Sequence, residues 1–105
     1  MNNAIEPIAA EVLSIFPVAD GIYELELAAP KAAEQARPGQ FAMLRPGAGG
    51  KPYLGRPMGI YDRDLQRGSI SILFEVHGAG TRAMAGLHEG DKLDLHRLRI
   101  CAGLW

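Results

Sequence analysis

At 105 residues the chain has the length of one domain, enough to bury roughly two thirds of its unfolded surface without a disulfide or a metal. Eleven Lys and Arg against twelve Asp and Glu leave a net charge of −1, which supplies neither a basic field for nucleic acid nor a polybasic membrane patch. One cysteine, Cys101, excludes an internal disulfide framework and a Cys-based cluster or zinc site, while 48% apolar and 22% charged residues describe an ordinary globular chain. No apolar run approaches a membrane helix and the N-terminus lacks a signal-peptide pattern, so a cytoplasmic domain is expected.

Thirteen glycines and seven prolines punctuate the chain and leave little room for long helices. Residues 8–18 are β-branched and apolar enough for a first strand, with Pro17 marking an edge or a bend. Asp20-Gly21 reads as a tight hairpin turn. The second strand alternates, with Tyr23, Leu25 and Leu27 on one face and Glu24 and Glu26 on the other. Pro30 ends it, and residues 31–36 favour a helix of one or two turns before Arg37-Pro38-Gly39. A third strand is expected over 40–45, with Phe41 and Met43 on its inner face. The glycine-rich stretch 46–52 is a loop. A short fourth strand follows over 56–61, irregular or at an edge because of Pro57, and then a charged turn over 62–68. Residues 69–76 make the clearest strand, with Ile70, Ile72, Phe74 and Val76 pointing one way. Residues 81–87 favour a short helix carrying Met84 and Leu87 on one side, and Lys92 to His96 alternates as a sixth strand through Leu93 and Leu95. Residues 97–105 show no clean period. Six strands with short connections describe an all-β protein, a small antiparallel barrel or sandwich with at most two brief helices.

Two segments carry the chemistry. Val76-His77-Gly78-Ala79-Gly80-Thr81 runs from a strand into a short helix, where glycines admit close approach and the first helical N–H groups face outward. That favours an anion such as phosphate. A plain strand-to-helix turn with Thr81 as N-cap explains the same residues. The letters Gly78-x-Gly80-x-x-Ala83 match a dinucleotide fingerprint, but a two-turn helix broken by Gly86 and an acid, Asp94, inside the next strand rule out a Rossmann unit. Gly47 to Pro52 fails as a phosphate loop, since Pro52 stands where Ser or Thr is required. In the second segment, Arg56-Pro57-Met58-Gly59-Ile60-Tyr61, an arginine offers a planar fork to phosphate, Gly59 admits a flat ligand, and Met58 suits an aromatic ring. An ordinary surface ion pair is the alternative for Arg56. In an antiparallel pair the two segments become neighbours. His77, His88 and His96 lack metal-type spacing, and no nucleophile–base set can be placed together, so neither a metal ligand nor a catalytic residue is assigned.

Gly21-Ile22-Tyr23-Glu24-Leu25, Arg37-Pro38-Gly39-Gln40-Phe41, Arg56-Pro57-Met58-Gly59-Ile60 and Gly78-Ala79-Gly80-Thr81-Arg82 follow one another in an order that resembles the FAD-binding barrel of the ferredoxin reductase-like family, over about residues 8–96. Within that family the blocks are similar to those of electron-transfer subunits of dihydroorotate dehydrogenase. The resemblance implies a six-stranded Greek-key barrel with one or two short helices and FAD on its outer surface. It implies that Arg56, Pro57, Met58 and Gly59 line the flavin and its phosphates. Leu73, Phe74 and Glu75 would run beside the ribityl chain and adenosine, largely through backbone groups, and Gly80 and Thr81 would take the pyrophosphate. It further implies a cytoplasmic flavoprotein of pyrimidine biosynthesis whose partner is a dihydroorotate dehydrogenase catalytic subunit or another redox protein.

Departures qualify it. Gly59 stands where the family usually has Ser or Thr, a hydroxyl able to bond the flavin ring. Residues 97–105 replace the turn into a nucleotide-binding domain and an iron–sulfur cysteine cluster. The expectation is therefore an FAD-binding barrel domain over 1–96 and an atypical tail over 97–105, with the nucleotide-binding and iron–sulfur domains absent: an oxidoreductase component that completes no catalytic cycle alone. The alternative is a cofactor-free barrel acting in assembly, dimerising through an apolar edge of Leu98, Ile100, Leu104 and Trp105. A small flavin reductase using free nicotinamide cofactor is a third, weaker fit.

Overall fold

The computed structural model describes residues 8–36, 40–46 and 58–98. They form six strands, β1 (Ile8–Ala19), β2 (Ile22–Ala28), β3 (Phe41–Pro46), β4 (Met58–Asp64), β5 (Ser69–Glu75) and β6 (Lys92–Leu98), and two short helices, α1 (Pro30–Gln35) and α2 (Ala79–Ala85). The strands close into a barrel in the order β1-β2-β5-β4-β3-β6, every pair antiparallel. Strands β3, β4 and β5 run as a meander and β2 returns beside β5, which is the Greek-key arrangement expected.

The hairpin between β1 and β2 turns on Asp20-Gly21, where Gly21 adopts φ +74, a left-handed conformation that a side chain would disfavour. Pro17 does not lie on the edge of an open sheet. It sits in the part of β1 beyond Glu11, where the described rungs run to β2 and none to β6, beside a bulge between Pro17 and Ala19. A missing N–H is tolerated there because no neighbour needs it.

Alternation sets most of the core. Leu25 and Leu27 of β2, Ile70, Ile72 and Phe74 of β5, and Leu93 and Leu95 of β6 all point inward and are buried. Strand β3 reverses the expectation. Ala42 and Leu44 face the core, and Phe41 and Met43 lie half-buried on the outside. Four consecutive apolar residues carry no period that could choose a face. The ladder chooses it: Ala42 pairs with inward Met58, and Phe41 pairs with outward Gly59.

Strand β4 continues to Asp64, into the segment expected to be turn. Strand β6 continues to Leu98, so Arg97 and Leu98 belong to the barrel backbone rather than to a tail and pair with Ala42 and Phe41. Ile100, Leu104 and Trp105 lie outside the described residues.

The helices close opposite ends of the barrel, because α1 follows the end of β2, α2 follows the end of β5, and those strands are antiparallel. Pro30 opens α1 at a position where its missing N–H is harmless, and Ala32 and Ala33 are buried against the core. No basic residue stands in the last turn of α1. Instead Arg63 reaches across from β4, its Nη1 donating to the carbonyls of Ala33 at 3.1 Å, Glu34 at 3.3 Å and Ala36 at 3.1 Å. A cation placed there satisfies the orphan carbonyls and the negative end of the helix dipole. At the other end Met84 of α2 is buried in the same core.

Arg63→Ala is expected to lower the unfolding free energy by about 1 kcal/mol, exposure discounting bonds to a charged group that otherwise contribute roughly 1.5–3 kcal/mol. Leu25→Ala, at a position with no exposure, is expected to lower it by about 3 kcal/mol or more. Urea unfolding followed by circular dichroism checks both, and a loss at Leu25 no larger than at Arg63 would contradict this account of the core.

Candidate functional site

The outer surface of the barrel carries a row of residues that crosses five strands. Phe16 of β1 pairs with Glu24 of β2, and Glu24 pairs with Leu73 of β5. On the far side Phe41 of β3 pairs with Gly59 of β4. The β4–β5 rung Ile60↔Ile72 brings Gly59, one residue before it on β4, and Leu73, one residue after it on β5, toward one another. Phe16 and Leu73 are 45% and 41% exposed, and Phe41, across β4 from Leu73, is half-buried. Gly59 is the gap in this row. A Cβ built on it would meet no atom within 4 Å. The result is an open cleft whose floor lacks a side chain and whose flanks are Phe41 and Leu73, a shape suited to a flat apolar ring.

Tyr61 stands two residues beyond Gly59 on the same outer face and is 50% exposed. It occupies a bulge, since Ile60 pairs with Ile72 and Asp62 with the adjacent Ser71. Desolvation first, then the nearby Glu24 carboxylate, then the negative charges of Asp62 and Glu26 push its phenol above its ordinary value of 10. Glu26 itself is held by Arg67, with Nε 3.1 Å from Oε2 and Nη2 3.2 Å from Oε1, and by Ser69 Oγ, which donates to Oε2 at 2.6 Å.

Beyond the end of β5 the chain turns into α2. The Val76 N–H donates to the Gly21 carbonyl at 2.9 Å and ties this exit to the β1–β2 hairpin. Gly78, in extended conformation with φ 178, is the N-cap. The first helical bond runs from Arg82 N–H to the Gly78 carbonyl at 2.9 Å, so the N–H groups of Ala79, Gly80 and Thr81 precede any intrahelical partner. The helix starts two residues earlier than expected, which makes Thr81 a first-turn residue and not the N-cap. Its buried hydroxyl accepts from His77 N–H at 2.9 Å and donates to the Gly78 carbonyl at 3.2 Å. Thr81 therefore pins the turn from inside.

The expected site residues divide accordingly. Gly59, Leu73 and exposed Glu75 face outward at the cleft or beside it, and half-buried Gly80 lies in the first turn of α2. Met58 and Phe74 face the core, 8% and 4% exposed, and Phe74 stacks on Tyr23 with ring centroids 5.7 Å apart. Arg56 and Pro57 lie outside the described residues. Three residues of the cleft were not among those expected: Phe41, Tyr61 and Glu24. The alternation Met58 in, Gly59 out, Ile60 in, Tyr61 out was a signal for Tyr61. Among the described residues no group of His, Cys, Asp and Glu is arranged to hold a metal, and no helix is long and apolar enough to cross a membrane.

Known proteins share this barrel. The electron transfer subunit of dihydroorotate dehydrogenase B (NAD(+)) from Desulforamulus reducens is 36% identical over 86 residues, which are 82% of this chain and 33% of that protein. The protein of the same description from Clostridium acetobutylicum is 41% identical over 78 residues, 74% of this chain and 29% of its own length. The chain thus spans about a third of the length of the curated relatives it matches. Among solved structures, an NADH-dependent reduced ferredoxin–NADP oxidoreductase of flavin-based electron bifurcation superposes with a TM-score of 0.70 at 23% identity, over 88% of this chain and 31% of that one. A flavohemoglobin from Malassezia yamatoensis, solved with bound FAD and heme, gives 0.64 at 14% identity, over 90% of this chain and 25% of that one. At these identities the structural likeness speaks for the fold. No protein-family model matches the chain.

The Tyr61 phenol yields a pH dependence of stability. Unfolded, it ionises near its ordinary value of 10, and folded it ionises later. The folded chain therefore holds the proton more tightly, and this contribution, complete below that value, is lost as pH rises through the raised value. Glu24→Gln removes the nearby charge and is expected to move phenolate absorbance at Tyr61 to lower pH and to flatten the alkaline loss of stability. Tyr61→Phe serves as the blank.

Proposed function

We propose that this chain, which belongs to the FAD-binding barrels of the ferredoxin reductase-like family, holds FAD on its outer face as the flavin module of an electron-transfer oxidoreductase. The observation that carries the reading is the match to electron-transfer subunits of dihydroorotate dehydrogenase across 74–82% of the chain. The cleft over Gly59 supports it locally, since a flat ring needs apolar cover and a floor without a side chain. When bound, FAD supplies the capacity to accept and pass on electrons, and the protein supplies position and environment.

Each residue then has a part. Gly59 admits the ring, while Phe41, Leu73 and Tyr61 cover its edges and exclude water. Met58 acts from inside, its buried side chain setting the strand that presents Gly59. Arg56 and Pro57 lead into that strand and are assigned to the flavin and its phosphates, Arg56 with its fork of donors. Leu73, Phe74 and Glu75 bond to β2 on one side, and among the described residues no rung to β4 extends past Ile72. Their remaining backbone groups suit the ribityl chain and adenosine. The N–H groups of Gly80 and Thr81 are assigned to the pyrophosphate, the Thr81 hydroxyl being engaged in its own turn. The barrel module runs through the end of β6 at Leu98. Its partner is a catalytic subunit of the dihydroorotate dehydrogenase kind or another redox protein, which points to pyrimidine biosynthesis in the cytoplasm.

FAD titration followed by quenching of flavin fluorescence tests the reading. Saturable binding is expected, and its absence up to about 100 μM would defeat the proposal. Arg56→Ala is expected to weaken binding at least about tenfold, a charge-assisted contact being worth roughly 1.5–3 kcal/mol. Gly59→Leu fills the cleft and is expected to abolish binding while leaving the melting temperature nearly unchanged, because its Cβ meets nothing within 4 Å.

A further inference from the structure

The far end of β1 carries a surface that the flavin reading leaves without a purpose. Residues 16–19, Phe-Pro-Val-Ala, are all exposed, and among the described residues no other run of four apolar residues is exposed throughout. They add nothing to the core, and an exposed apolar run of this length lowers solubility unless something covers it. The run is also held in shape. Phe16, Pro17 and Ala19 pair with Glu24, Tyr23 and Ile22, and the Val76 N–H donates to the Gly21 carbonyl at 2.9 Å, which fixes the hairpin tip to the end of β5. Carboxylates border it. Asp20 follows the run, Glu24 stands across from Phe16, and Glu75 stands across from Ile22. Among the described residues none of the three forms an ion pair. Arg63 and Arg67, from the neighbouring β4–β5 hairpin, are engaged by α1 carbonyls and by Glu26.

We propose that residues 16–19 are the docking edge for a redox protein whose surface offers an apolar patch bordered by Lys or Arg. The apolar patch is read from the run itself, and the basic border from the three carboxylates. That the partner is a redox protein rests on FAD occupying the cleft over Gly59. Phe16 and Leu73 lie on either side of Glu24 in the exterior row, about 10 Å apart, so a protein seated on the run lies against the flank of the cleft. Phe16 is the anchor, and the carboxylates orient the partner and speed its approach.

Cytochrome c, a lysine-rich redox protein, is the probe. It is titrated into the isotope-labelled chain, with and without FAD, while backbone amide shifts and affinity are followed. Saturable shifts are expected at residues 16–24 and 73–77, and binding should weaken at least about tenfold between about 20 and about 200 mM salt. Phe16→Ser is expected to weaken it about five- to tenfold at either salt concentration, a loss that attraction between charges alone would not produce. Asp20→Asn, which suits the turn, is expected to weaken it about two- to threefold and to flatten the salt dependence. Both positions are exposed, and circular dichroism verifies the fold of each variant. Absence of binding at low salt, shifts confined to other faces, or an affinity indifferent to Phe16→Ser overturns the proposal. Self-association of the chain that Phe16→Ser abolishes also overturns it, in favour of a second copy as the occupant. Docking on the run without saturable FAD binding removes the flavin reading and leaves the docking edge standing, and FAD binding without docking does the reverse.

Discussion

The ladder between β2 and β5, seven rungs from Ile22↔Glu75 to Ala28↔Ser69, is the constraint on which the rest of the molecule depends. It joins strands far apart in sequence and converts two local hairpins into a closed surface. It aligns Leu25 and Leu27 with Ile70 and Ile72 in one interior layer. It also sends α1 and α2 to opposite ends, where Ala32, Ala33 and Met84 cover a core that strands alone would leave open. A closed barrel has no free edge between its strands, so the chain tolerates exposed apolar residues such as Phe16 and Leu73 without presenting a strand to a neighbour.

The same ladder builds the site. Cross-strand partners share a face, so the pairs Phe16↔Glu24, Glu24↔Leu73 and Phe41↔Gly59 lie along one exterior row. Within it, a residue with no side chain faces one with a large aromatic. A Cβ on Gly59 would meet nothing within 4 Å, which leaves a recess beside the ring. Among the described residues, strand β4 has two rungs to β3 and a bulge at Tyr61 against β5. The turn into α2 is stiffened by a buried hydroxyl that closes two bonds on its own loop.

Much of this was legible in the residues. Strict alternation in β2, β5 and β6 announced both their faces and their outer polar rows, because a period of two has only one reading when one phase is apolar. Gly21 marked a turn and Pro30 the end of β2 for local steric reasons. Strand β3 was misread because Phe41-Ala-Met-Leu44 is apolar in both phases, and size suggested the wrong one. The ends of β4 and β6 were set too short, since charged Asp62 to Asp64 and Arg97 pass for turn or tail in a linear chain while their backbones pair in the closed one. The Arg63 cap on α1 spans 27 to 30 residues and left no local trace.

By itself the sequence determined the class of fold, the identity of the strands, the two phosphate-friendly segments and the flavin-barrel resemblance. All of these follow from short-range rules: side-chain period, turn sterics and the order of a few blocks. The tertiary structure decided which residues meet. Register brings Phe41 to Gly59 and Glu24 to Leu73, sets Met58 and Phe74 inward, and leaves Tyr61 at a bulge on the outer face. Those choices belong to barrel closure, because a strand's face and its neighbours are fixed by the partner it pairs with, and that partner can lie anywhere in the chain.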